Sequence, residues 1–299
     1  MSNTATVAPA ANGAELIAKK EGRFKMIFKR LLGDKKAMVG MIVVLIYVLI
    51  AIFCDQIAPY KASEMTADIL AKPGVNGHIF GTDNMGRDMF SRAIIGTRYS
   101  IGLGVCATLI SLFVALVLGS VTGYVGGKFD EVFMRILDVI QSVPGTLLNM
   151  AIATALGSGY WNLVVAMGLG GIASMTRLQR SCVLSVRSME YVDAASATNC
   201  SFFRKITKHI IPNAFAPTMV QATMQVGGTI IAASGLSLLG CGMPSNLPEW
   251  GSLLSTGRDY IKNSSYLCIC PGIMLIIFVL AVNLFGDGLR DALDPKLKK

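Results

Sequence analysis

Charge is what this chain has least of. Asp, Glu, Lys and Arg make up 15% of its 299 residues, against roughly 25% in an ordinary soluble domain. A surface wetted on every side is therefore excluded. Histidine is scarcer still. His78 and His209 are the only two, and long apolar stretches separate them, so no histidine metal site is expected. Seven cysteines occur singly, at Cys54, Cys106, Cys182, Cys200, Cys241, Cys268 and Cys270. No CxxC pair appears, and Cys268 and Cys270, two apart, would not share a helix face. A phosphate-binding glycine loop is missing too. Its nearest approach, Gly127-Lys128, has Thr122 in the first glycine place and Phe129 where Ser or Thr is needed. No acidic or basic residue falls in the middle of an apolar segment, which counts against a proton- or sodium-driven carrier. The reading is a non-enzyme with no catalytic residue, no metal site and no cofactor of its own.

What is abundant is apolar. Hydrophobic residues are 53% of the chain and the mean hydropathy is +0.57. They come in blocks near the ~20 residues that cross a hydrocarbon core. The expected class is all-α, a polytopic membrane protein with six spans. These are read at 37–55, 100–124, 136–157 (kinked at Pro144), 162–176, 213–239 and 267–285. The net charge of +9 suggests nucleic acid at first. Yet about 20 of the Lys and Arg residues fall on one set of alternating loops and tails and about 7 on the other, the positive-inside pattern. No basic stripe interleaved with aromatics is present, so nucleic acid is not a partner.

Both termini are thereby placed in the cytoplasm. Residues 1–21 lack an apolar core, read as a disordered cytoplasmic tail and not a signal peptide. Residues 22–36 carry one apolar face and read as an amphipathic helix on the lipid surface. The domain 37–299 comes next, with an external loop at 56–99 and a cytoplasmic polar segment at 177–212. Gly119, Gly123 and Gly127, at four-residue spacing, would let a neighbouring helix approach closely.

The polar segment is the most informative stretch. Glu190 and Asp193 stand in the first turn of a predicted helix, where acidic side chains suit the macrodipole. Ala194, Ala195 and Ala197 favour helix and leave the backbone open to another surface. Asn199 tolerates the left-handed conformation that ends a helix. Ser201 would cap a second helix, Phe202–Ile211, closed by Pro212. The bland alternative is a loop helical only for packing.

Tyr191–Ser201 (YVDAASATNCS), followed by IIPN, resembles the EAA loop of ABC importer permeases. Asp193, Ala194 and Ala195 take the Glu-Ala-Ala places, and Asn199 stands where that family has Gly. Further stretches are similar to dipeptide and oligopeptide permeases: Phe80–Ser100, Gly126–Pro144, Gly235–Gly251 and Asn283–Lys298. The chain is identified on these as a member of the second permease type of the peptide/nickel group. That resemblance implies a type I ABC importer permease fold in the bacterial cytoplasmic (inner) membrane. It implies a second, homologous permease subunit, two ATP-binding subunits that hold ATP and Mg, and an extracytoplasmic substrate-binding protein. Glu190, Tyr191, Asp193, Ala194, Ala195 and Asn199 would then couple to the ATPase. A compact turn unit, Gly81, Thr82, Asp83, Asn84, Gly86, Arg87 and Asp88, would seat the binding protein. Gln221, Gln225 and Thr229 are candidate pathway lining. Asp287, Arg290, Asp291 and Asp294, in the tail, are read as contacts with the ATPase or partner permease, or as local charge pairing. Peptides are the expected cargo. A nickel chelate or other small substrate is the alternative, and a stand-alone secondary transporter or channel is the rival from another class.

Overall fold

The computed structural model describes residues 30–293. The tail 1–21, most of segment 22–36 and Asp294 lie outside them. Among the described residues the chain is helical, with two isolated β-bridges and no strand.

Three helices among the described residues are long and apolar enough to cross a membrane. They are α1 (Lys35–Ile57), α2 (Met89–Val125) and α10 (Tyr266–Leu293). Acidic side chains start the first two: Asp34 accepts from the Lys36 amide and Asp88 from the Ser91 amide. α2 begins eleven residues earlier than its apolar block suggests, so residues 89–99 are helix and not external loop. Arg92 and Arg98 mask this start in the sequence. Arg92 is buried, and Arg98 reaches across to α1, donating to the Ala51 and Ile52 carbonyls and to Asp55.

The third span needs a larger correction. In place of a kinked helix at 136–157, α3 (Gly127–Ser142) and α4 (Gly145–Leu156) meet at 87° around Pro144. The helix thus begins at Gly127, nine residues before the expected span. α4, at 12 residues, reaches only about 18 Å and cannot cross by itself. The bent pair together passes as a fourth, broken span. Bidentate Arg180–Asp130 and the 2.6 Å Arg177–Asp138 contact hold α3 against α5 (Tyr160–Arg187).

α5 and α8 (Ile211–Leu238) are 28 residues each and complete the bundle. Their Gly, Ser, Thr and Gln residues lower their apolarity but knit the core. Buried Gln179 donates to Ser120 Oγ of α2 and accepts from Thr218 Oγ1 of α8. Gly119 and Gly123 bring α2 against α5; a Cβ on Gly119 would lie 2.7 Å from the Thr176 carbonyl oxygen. Gly127 takes no part, since it has φ +59° and an open surround, and starts α3. Small α6 (Glu190–Ala197), α7 (Phe202–Arg204) and α9 (Trp250–Arg258) fill the connections.

Candidate functional site

The polar end of the bundle is built from α6 outward. Glu190 and Asp193 lie in its first turn. Val192 is buried and anchors it, while Glu190, Tyr191, Asp193 and Ala194 are exposed and Ala195 is half-buried. The helix ends in a Schellman motif. The Cys200 amide donates to the Ala195 carbonyl and the Asn199 amide to the Ser196 carbonyl, both at 3.1 Å. Asn199 sits at φ +55°, the left-handed conformation its place in the sequence predicts. Of the six residues of the sequence-predicted set, Tyr191, Ala194, Ala195 and Asn199 line one groove, and Glu190 and Asp193 are exposed on the same short helix.

The connection from α6 to α8 departs from expectation. Ser201 occupies the N-cap position, but its side chain makes no capping bond. Pro212 does not close the second helix. α7 runs through a π-helical turn, Lys205–Ile210, straight into α8. In that wider turn the Ile211 amide bonds to Ile206 O, five residues back. The register shift accommodates a proline that lacks a donor and would crowd the carbonyl four residues earlier. Asn213 Nδ2 then donates to His209 O at 2.7 Å. An open groove of about 600 Å³ runs beside α6. Asn199, Tyr191 and Ala194 line it together with Arg204 and His209, which sequence reasoning missed. Phe203, 79% exposed, stands next to it.

At the opposite end, the loop between α1 and α2 is organised by buried charge. Asp83 accepts from the Arg87 guanidinium at 2.7 Å and from the Met85 and Arg87 amides. Arg87 and Arg92 both donate to the Ser245 carbonyl, at 3.3 and 3.0 Å, and Arg92 also to Ala62 O. Asp88 meets His78 at 2.8 Å and accepts from Ser91. Gly81, Thr82, Asp83, Gly86, Arg87 and Asp88 are all buried, and Asn84 is half-buried. The turn unit expected as a docking surface is thus the interior of the loop. Its outer face is Met65, Ile69, Val75, Ile79 and Met85. A single sequence cannot reveal this, because the closing carbonyl lies 158 residues downstream of Arg87.

Glu249 is a third missed residue. It is fully buried at the N-cap of α9. Its oxygens accept from the Gly251 and Ser252 amides at 2.7 and 2.9 Å and from the Ser100 and Ser237 hydroxyls. Burial pushes its carboxyl above the ordinary range, and these four donors pull it back. The arrangement pins α9 to both α2 and α8. Glu is an unusual cap, so capping rules do not flag it.

The candidate lining set is divided. Gln221 is exposed and borders a 380 Å³ pocket with Leu178, Met224 and Arg290. Gln225 is half-buried against Gly171, and Thr229 is buried inside the bundle. Asp287 and Arg290 are exposed in the last turns of α10.

The chain is thus a helical membrane bundle with a polar network in its core, an exposed capped helix at one end and a closed loop at the other. The chain belongs to the family described as "Binding-protein-dependent transport system inner membrane component", matched over residues 115–299. Residues 22–73 match "N-terminal TM domain of oligopeptide transport permease C". It is 37% identical over 290 residues to the oligopeptide transport system permease protein OppC of Bacillus subtilis (strain 168), covering 97% of this chain and 95% of that protein. It is 39% identical over 271 residues to the dipeptide transport system permease protein DppC of Alkalihalophilus pseudofirmus, covering 91% and 89%. The di/tripeptide transport system permease protein DppC of Pseudomonas aeruginosa (strain UCBPP-PA14) is 37% identical over 271 residues, covering 89% of each.

Proposed function

We propose that this permease is one of two membrane subunits of a bacterial importer for di- and oligopeptides, driven by ATP hydrolysis in two separate subunits. The observation that carries the reading is mechanical. α6 is presented on a left-handed turn at Asn199, and from Phe202 the chain is unbroken helix to Leu238. A push on α6 is delivered along a rod into the bundle. In the importer, α6 is the coupling helix and its exposed face, with Glu190, Tyr191 and Asp193, meets the ATPase. Gln221 and Gln225 face the pathway shared with the second permease. Buried Thr229 drops out of that lining. The loop 58–88 receives the binding protein on its outer face, while Asp83, Arg87 and Asp88 hold its shape. The reading needs no catalytic group in this chain. Both termini and α6 lie in the cytoplasm.

Asp193→Arg tests the coupling assignment. It puts a positive charge at the positive end of α6 and on the docking face. The variant is expected to insert normally but to lose co-purifying ATPase. An intact complex with normal transport-linked hydrolysis would contradict the assignment. Sidedness has its own test, in a background without native cysteines. Probes at Met85→Cys and Asn246→Cys are expected to react with an impermeant reagent in sealed cells, and Ser196→Cys is not. Labelling at position 196 would reverse the orientation.

A further inference from the structure

Beneath the loop that links α1 and α2 lies a wholly apolar groove of about 200 Å³. Pro73 and Phe80 of the loop form one wall. Tyr266, Ile269, Cys270, Ile273 and Met274, from the first turns of α10, form the other. It is smaller than the roughly 300–1,000 Å³ of small-molecule clefts and offers no polar side chain beyond the tyrosine rim and the weakly polar Cys270 thiol. A drug-like or peptide ligand would find nothing there to orient it.

The groove is not isolated. Ile269, Ile273, Ile276, Ile277 and Leu280 are all exposed and fall at helical spacing on one stripe of α10. The groove is the upper end of that stripe. The stripe is bulky, branched and free of Gly, Ser and polar groups. Helix partners in membranes prefer small and polar residues at their contact. Such residues are exposed elsewhere on this bundle, at Ser174 and Ser181 of α5 and at Gln221 and Gly228 of α8. The α10 stripe therefore suits hydrocarbon. Tyr266, the first residue of α10, fits the depth of the headgroup boundary. Ile273, seven residues further in, lies about 10 Å deeper.

We infer that this groove holds the acyl chain of a membrane phospholipid, threaded between the loop and α10. The chain would do more than coat the protein. Tyr266 OH donates to the Thr82 carbonyl at 3.0 Å, and the Gly81 backbone packs against the same ring. Thr82 and Gly81 adjoin Asp83 in the buried core of the loop. The occupied groove thus seats the loop on the bilayer through Tyr266. The inference rests on α10 crossing the membrane and not on the identity of the cargo.

Two measurements test it on the full chain. In a Trp161→Phe background, whose one remaining tryptophan, Trp250, is fully buried and supplies the reference signal to subtract, Phe80→Trp and Leu280→Trp variants are reconstituted into phosphatidylethanolamine vesicles with brominated acyl chains. Both tryptophans are expected to be quenched alike, since bromine reaches each along one lipid-lined stripe. Quenching at 280 with sparing at 80 would overturn the proposal, because the groove would then be empty of chain. Sparing at 80 only once the partner subunits are assembled would also overturn it, by assigning the groove to protein. Second, Ile273→Trp should fill the groove. Native mass spectrometry of the detergent-purified chain is expected to show loss of a retained phospholipid relative to the parent and to Leu280→Trp. Equal lipid retention in all three would refute the site while leaving the importer reading intact.

Discussion

Asp83→Ala is expected to be among the most damaging single substitutions in this permease. It removes the carboxylate that faces two guanidiniums, Arg87 at 2.7 Å and Arg92 at 3.8 Å. Asp83, Arg87 and Arg92 are 2%, 4% and 1% exposed. Stranding buried charge without its partner costs about 3–5 kcal/mol. Two like charges would then face each other with only the Ser245 and Ala62 carbonyls as acceptors. Asp55→Ala makes the informative contrast. It also breaks an aspartate–arginine pair, with Arg98 at 2.9 Å, but both side chains are largely exposed. Such pairs contribute at most about 1 kcal/mol. Thermal unfolding of the purified chain should show a large loss for Asp83→Ala and little change for Asp55→Ala. Limited proteolysis should open the loop in the former alone. Comparable stability of the two variants would mean that the loop core does not depend on buried charge.

The second large effect is functional. Asn199→Val should uncouple transport from ATP hydrolysis, whereas Asn199→Gly should match or slightly exceed the parent. At φ +55° glycine meets no Cβ penalty. A β-branched side chain meets the full cost, on the order of 1–2 kcal/mol. That cost falls on the turn that aims α6 relative to the rod beginning at Phe202. The measurement is substrate uptake per ATP hydrolysed in vesicles, at equal protein content. Equal ratios for the Gly and Val variants would show that the left-handed turn carries no coupling.

The two variants also mark where sequence is sufficient. The α6 turn is local: two acidic residues, a run of alanines and one Asn lie within ten positions and carry the conformation themselves. The apolar blocks likewise mark most of the helices. Their ends are harder. Arg92 and Arg98 make the start of α2 look like loop, because their charge is weighed without the distant carbonyls that satisfy it. Pro144 is legible as a break, but its 87° bend depends on α3 being strapped to α5 by Arg177 and Arg180. Pro212 reads as a stop because proline is harmful to α-helix, and the π turn that admits it leaves no composition signal. Within the candidate site, Glu249 and the burial of Asp83 are invisible in sequence for one reason. The Ser237 and Ser100 hydroxyls that meet Glu249 lie 12 and 149 residues away, and the Ser245 carbonyl that closes the loop over Arg87, the partner of Asp83, lies 158 residues downstream of that arginine.

The pair of hydrogen bonds that Arg87 and Arg92 donate to the Ser245 carbonyl also bears on the order in which the protein can be made. Arg92 must be synthesised 153 residues before the carbonyl that accepts from it. At about 5–20 residues per second, that is a wait of roughly 8–30 s. During it, a guanidinium destined for burial stands at the head of a helix already entering the bilayer, with one of its carbonyl acceptors not yet made. Water must hydrate it until the last part of the chain arrives. The loop between α1 and α2 is therefore finished late, although it is encoded early. A nascent chain cut short before residue 245 would carry α1 through α8 but leave an unsealed, charged opening at the loop end.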